Sequence, residues 1–235
     1  MTVPPAGLLP PHALIVSCQA RPGHPLHGPG PMALMARAAA AGGAAAIRAE
    51  GAADIRAIRA ETALPLVGLR KQGDPSGVFI TPTFETAAEV VRAGATLVAL
   101  DATDRPRPGG VTPAGLIRRI RSELGVPVVA DVDSLAAGRA AAGAGADYVA
   151  TTLSGYTGGG PAPDGPDLEL VGRLAATTGR PVIAEGRYRT PDDVRRAREA
   201  GAYAVVVGQA ITDPMAMTGR LAAALGTTTD ERPGT

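Results

Sequence analysis

The chain has 23 basic residues, and all but one of them are arginine; the exception is Lys71. Tryptophan is absent and aromatic residues make up only 3% of the 235 positions, while apolar residues as a whole reach 45%. A core of that composition must be built from Ala, Val, Leu and Ile, which suits a parallel sheet covered by helices. The scarcity of rings leaves little for stacking single-stranded nucleic acid, and a net charge of +1 provides no general field toward nucleic acid or an anionic membrane. Neither is expected as a partner. Cys18 is the only cysteine, so no internal disulfide can form and a cytoplasmic location fits. It sits in an apolar run and reads as a small buried residue. The three histidines, His12, His24 and His27, all lie near the first strand, so no histidine cluster for a metal is expected. No apolar run approaches the roughly 18 residues that would span a bilayer. The opening MTVPPAGLLPPH has no basic flank, is broken by prolines, and does not read as a signal peptide.

Eight short apolar runs recur along the chain. They are Ala13–Gln19, Ala44–Arg48, Pro65–Lys71, Thr96–Asp101, Pro127–Asp131, Tyr148–Leu153, Pro181–Glu185 and Ala204–Gly208. Segments of helical pattern lie between them, and several carry boundary signals. Thr112-Pro113, Thr190-Pro191 and Asp213-Pro214 pair a capping residue with proline at the first helical position. Gly94, Gly125, Gly179 and Gly201 stand where helices end in a left-handed turn. Eight strand–helix units in about 225 residues read as a single-domain α/β fold, a (β/α)8 TIM barrel over 1–225, with 226–235 as a frayed tail. A doubly wound open sheet is the alternative, but it usually has five or six strands. The arginine clusters at 118–121 and 195–198 fall in helical pattern and read as solvated faces.

In such barrels the active site sits at the C-terminal ends of the strands. The residues expected there are Gln19, Arg48, Lys71, Asp101, Asp131, Thr151 with Thr152, Glu185, and Gly208 with Gln209. Opposite charges are interleaved around one ring. Arginine cannot serve as a base, whereas a lysine with a lowered pKa can. Lys71, ending strand three, lies across the ring from Glu185, ending strand seven. Such a pair suits removing a proton from one face of a carbon and returning it to the other. Asp101 and Asp131 are also capable of holding a hard cation, but carboxylates at a barrel mouth more often orient hydroxyls or cations. Gly186 and Gly208, with Arg187 beside them, stand where barrels often hold phosphate; glycines at such sites also serve simply as turns. The glycine-rich segment 158–165 reads as a flap over the cavity or as a linker.

Several stretches, in order along nearly the whole chain, carry a resemblance: LIVSCQA (14–20), GGAAAIRA (42–49), ALDAT (99–103), TTLSGYT (151–157), EGRYRTP (185–191) and GAYAVVVGQAIT (201–212). The chain resembles the N-acetylmannosamine-6-phosphate 2-epimerases of bacterial sialic acid catabolism. The resemblance implies an isomerase that interconverts N-acetylmannosamine 6-phosphate and N-acetylglucosamine 6-phosphate without a cofactor, and a homodimer. It implies Lys71 and Glu185 as catalytic residues and Gln19, Arg48 and Asp131 as sugar contacts, to which the strand-end position adds Thr152. It places phosphate at Gly186, Arg187 and Gly208. Two departures fall at that end. Gln209 stands where the family usually has a second glycine, and Asp213 where it usually has arginine; a carboxylate there is unfavourable to phosphate unless it turns away or caps the next helix. Two rival readings stay open: a Schiff-base aldolase acting through Lys71, and a non-catalytic barrel that binds a phosphosugar.

Overall fold

Residues 8–158, 160, 161 and 163–226 are described by a computed structural model of the chain. Eight strands form where the short β-branched and small apolar runs occur: β1 Ala13–Cys18, β2 Ala46–Glu50, β3 Leu66–Leu69, β4 Leu97–Asp101, β5 Val128–Asp131, β6 Tyr148–Ala150, β7 Val182–Glu185 and β8 Ala204–Val207. All pair in parallel and in chain order, and β8 closes onto β1 with Ile15 opposite Val206. The fold is the expected (β/α)8 barrel. The tail expected after residue 225 lies, from residue 227 on, outside the described residues, as do residues 1–7 and Gly159 and Ala162 of the 158–165 segment.

Alternation along the strands divides the apolar residues into two cores. Ile15, Ala46, Val67, Leu97, Val129, Ile183 and Val206 point inward and fill the barrel. Val16, Ile47, Val98, Val128, Val149 and Val205 point outward against the helices. With so few aromatics, small residues let the layers approach closely: a Cβ on Gly68 would lie 2.5 Å from the Ala95 side chain.

Around the barrel run α1 Pro29–Ala41, α2 Ala52–Glu61, α3 Phe84–Arg92, α4 Pro113–Arg119 (continued by a π-helical turn, Ile120–Leu124), α5 Leu135–Gly143, α6 Leu168–Thr177 and α7 Pro191–Glu199. A single turn, α8 Gln209–Thr212, precedes α9 Pro214–Ala224. The three expected caps form: Thr112, Thr190 and Asp213 accept the backbone N–H groups of Gly115, Asp193 and Ala216. The glycines expected after helix ends adopt positive φ, from +64° at Gly179 to +112° at Gly94. The basic clusters are solvent-side: Arg195 pairs with Asp192 and Glu199, and Arg119 pairs with Glu123 while stacking over Phe84.

Several strand ends differ from the sequence reading. β2 runs on to Glu50, so Arg48 lies within the strand, opposite Ser17 and Val67, and not at its end. β3 stops at Leu69; Lys71 lies beyond it, held by an isolated antiparallel bridge to Ile80. β6 stops at Ala150, and the Thr151–Thr152 step turns out of the sheet. In β3 and β6 apolar composition continues past the point where hydrogen-bonded pairing ends, whereas in β2 the pairing outlasts the apolar run.

Candidate active site

The inward alternation that fills the barrel with apolar side chains turns polar at its upper layer. Two residues beyond Ile15, Ala46, Val129 and Ile183 stand Ser17, Arg48, Asp131 and Glu185, and two beyond Leu69 stands Lys71. They line, or lie just beneath, a cavity of about 760 Å³, whose lining includes Gln19, Arg48, Lys71, Thr152, Glu185 and Gly208. Lys71 and Glu185, expected on opposite sides, line the same space.

Arg48 organises the floor. It is 2% exposed and grips Asp131 with two hydrogen bonds, Nη1 to Oδ1 at 3.2 Å and Nη2 to Oδ2 at 2.6 Å. Thr152 Oγ1 donates to the same Asp131 Oδ1 at 2.7 Å. Arg48 Nε stands 3.3 Å from Glu185 Oε1, an ion pair by distance without hydrogen-bond alignment. Asp131 is fully buried beneath Arg48 and does not line the cavity. It was expected as a direct sugar contact; its geometry makes it the anchor of Arg48. Burial, the larger influence, raises the Asp131 carboxyl, and Arg48 opposes it.

Glu185 has one buried oxygen, Oε2, with no hydrogen-bond partner. Burial pushes its pKa up to about 7, against the pull of Arg48. Lys71 is open to the cavity mouth, and its ammonium forms no ion pair or hydrogen bond among the described residues. Even so, the protein crowded around the amine lowers its pKa, and Arg48 adds to this; Glu50, Glu185 and Asp131 work in the opposite sense. The two groups are thus drawn toward one another on the pH scale, the lysine downward and the glutamate upward. Cys18 is sealed in the core, and burial pushes its thiol to about 12, so it is no nucleophile.

At the far end of the cavity, Gly186 has φ +109°, which favours glycine, whereas Gly208 at φ −110° has an ordinary negative value. Arg187 has φ +64°, and its guanidinium is engaged: Nε donates to Gly165 O and Nη1 to Ser154 O, both at 2.6 Å. Asp213 is turned onto protein groups. It caps α9 through the Ala216 N–H at 2.8 Å and stands 3.2 Å from His24 Nε2. Because His24 Nδ1 accepts the Leu26 N–H, its Nε2 carries the proton and donates to Asp213. The carboxylate is therefore occupied, while Arg21, Arg187, Arg189 and Arg220 line the same cavity. Gln19 also lines the cavity and donates to Ser17 Oγ at 2.9 Å.

Residues 32–227 match the family model described as "Putative N-acetylmannosamine-6-phosphate epimerase". The chain belongs to this epimerase family. A relative named for the same 2-epimerase, from Cutibacterium acnes, is 51% identical over 208 residues, covering 88% of this chain and 90% of that protein. Another, from Caldanaerobacter subterraneus, is 48% identical over 211 residues and 89% of each chain. The solved structure of the N-acetylmannosamine-6-phosphate 2-epimerase from Clostridium perfringens superposes with a TM-score of 0.86 at 42% identity, covering 90% of this chain and 93% of that one. Among the described residues of this family member, no group of three or more His, Cys, Asp or Glu side chains is disposed to hold a metal ion, and no helix is long and apolar enough to cross a membrane.

Sequence reasoning missed three residues of the site. Ser17 and Glu50 follow the inward alternation through Ile15 and Arg48, a signal that counting in twos would have found. Arg105 lines the cavity from the loop after β4 and is fixed there by Asp101 Oδ2 at 2.6 Å. Nothing in its spacing marks it.

Proposed function

We propose that this protein is a cofactor-independent isomerase that interconverts N-acetylmannosamine 6-phosphate and N-acetylglucosamine 6-phosphate. The reading rests chiefly on one observation: a free lysine and a buried glutamate line a single cavity with Arg48 on its floor beside the glutamate. Membership of the epimerase family supplies the substrate. The family likeness likewise carries a cytoplasmic homodimer into the proposal.

The reaction changes configuration at carbon 2 and needs no oxidant. Opening of the sugar ring exposes an aldehyde at carbon 1, which acidifies the carbon 2 proton. In one direction neutral Lys71 takes that proton, leaving an enolate, and protonated Glu185 delivers a proton to the opposite face. The enzyme is left with Lys71 charged and Glu185 ionised; exchange of protons with solvent restores it. In the other direction the roles reverse. A glutamate raised to about 7 and a lysine drawn downward bring the two groups closer on the pH scale, the direction that two-way proton transfer needs. Each positioned proton transfer contributes about 10²–10⁴-fold. Arg48, fixed by Asp131, supplies fixed positive charge for the developing enolate, which costs no reorganisation when the charge forms. Gln19 and Thr152 orient the sugar, and Gly186, Arg187 and Gly208 receive the phosphate. The occupied Asp213 leaves that end of the cavity to its arginines.

Incubation of the protein with N-acetylmannosamine 6-phosphate in D₂O tests the reading. Deuterium is expected at carbon 2 of the epimer. Absence of both epimer and exchange overturns it. Borohydride trapping of a covalent adduct at Lys71 would replace it with the aldolase.

A further inference from the structure

Lys71 lies beyond the end of a strand, in a segment the sheet does not hold. Its backbone N–H, freed from the ladder, donates to Glu50 Oε1 at 3.1 Å. The same oxygen accepts Arg70 Nη1, also at 3.1 Å. Glu50 is the last residue of β2 and pairs with Leu69, the last of β3. It therefore takes over at the point where the sheet stops. The rest of the segment is fastened elsewhere. Thr81, at φ +45°, accepts the Arg70 N–H on its hydroxyl oxygen and donates its O–H to Ala99 O at 2.6 Å. Arg105 holds Ser76 O at 3.2 Å. Among the described residues, Glu50 alone binds the peptide of Lys71 itself through a side chain.

The charges around the amine come from several strands. β2 contributes Arg48 and Glu50, β5 contributes Asp131, and β7 contributes Glu185; Arg70 adjoins Lys71, and Arg105 shares its cavity. Asp131 and Glu185 are both committed to Arg48. Glu50 is the remaining carboxylate among those acting on the amine, and Arg70 is its only cationic partner among the described residues.

We propose that Glu50 is a positioning residue for Lys71: it fixes the peptide from which the amine projects and supplies the negative charge that balances Arg48 across it. This rests on the role of Lys71 proposed above. The carboxylate has two separable parts, an acceptor oxygen and a charge. Glu50→Gln keeps the oxygen and loses the charge, whereas Glu50→Ala loses both.

Because Lys71 is the only lysine, acetic anhydride reads its side chain alone once the peptide that contains it is resolved by mass spectrometry. The rate of acetylation against pH gives the titration of Lys71 directly. Glu50 holds the ammonium form, so its charge keeps the Lys71 pKa higher than Arg48 and burial would leave it. The midpoint is therefore expected to move to lower pH in both variants. In Glu50→Gln the KM for the phosphosugar is expected to stay near the wild-type value. In Glu50→Ala kcat is expected to fall as well, by up to about 10²-fold, the cost of moving a catalytic group by roughly 1 Å. An unchanged acetylation curve for Glu50→Gln, or a wild-type kcat for Glu50→Ala, overturns the proposal. Acetylation needs no substrate. A wild-type protein that failed to epimerise would thus sink the proposed function while the Glu50 effect on Lys71 was still read.

Discussion

Lys71 and Glu185 differ in how the protein treats them. The lysine ammonium is left open and, among the described residues, unpaired, and the glutamate is sealed against Arg48 with one oxygen unsatisfied. Lys71→Arg keeps the charge but removes a group able to lose its proton. It is expected to cost at least about 10²–10⁴-fold in turnover, with the circular dichroism spectrum and melting temperature little changed. Glu185 carries a stability cost as well as a role. Its folded pKa of about 7 lies above the 4.5 of an ordinary glutamate. The folded state therefore binds the proton more tightly than the unfolded state does. The stability this gives is complete below about pH 4.5 and is lost as pH rises through about 7. Glu185→Gln removes that loss. The variant is expected to be inactive, and to gain more stability over wild type at pH 8 than at pH 5, measured by urea denaturation. An equal change at both pH values would show that burial does not perturb Glu185.

At the scale of the element, position depends on how closely helices can approach strands. Gly68, in the middle of β3, faces outward where a Cβ would meet Ala95 at 2.5 Å and Ile55 at 3.1 Å. Gly68→Ala is expected to cost about 1–3 kcal/mol, by overpacking between β3 and its covering layer. It should also raise KM, because β3 carries Lys71 three residues on; a variant with wild-type stability would show that the layer yields. The elements themselves were largely legible in the sequence. Helix boundaries were clearest, because Thr112, Thr190 and Asp213 signal starts by a local hydrogen bond that the sequence states outright. Strand ends were less so. Apolar character in Pro65–Lys71 and Tyr148–Leu153 outlasts the pairing, since a chain can stay apolar over the barrel interior after its hydrogen bonds have turned to a loop. Arg48 was placed at the end of β2, as the last residue of the apolar run Ala44–Arg48. The structure buries it instead, since Asp131 and Glu185 arrive from other strands to compensate it. That compensation is tertiary and leaves no mark on the residues around position 48. The same holds for Asp213, whose pairing with His24 joins two ends of the chain.

For the whole molecule, the buried charges act as a clasp across the barrel. Arg48 joins β2 to β5 and β7 through Asp131 and Glu185. Arg48→Met keeps much of the volume and leaves two carboxylates facing each other without a cation. A loss of about 3–5 kcal/mol is expected in denaturant unfolding at neutral pH, the usual cost of removing one partner from a buried ion pair. The loss should shrink in mild acid as the orphaned carboxylates take up protons; a variant as stable as wild type at neutral pH would show that the pair contributes nothing net to the fold.

The closure of β8 onto β1 also has a meaning in time. As the chain is synthesised, Arg48 emerges well before Asp131, and Glu185 later still, while the strand that seals the ring comes last of all. Until Asp131 emerges the guanidinium lacks the carboxylate that grips it in the finished barrel, and burying it alone would be costly. Burial of that charge is thus tied to strands far along the chain, so the early and late halves of the barrel share one ionic cluster.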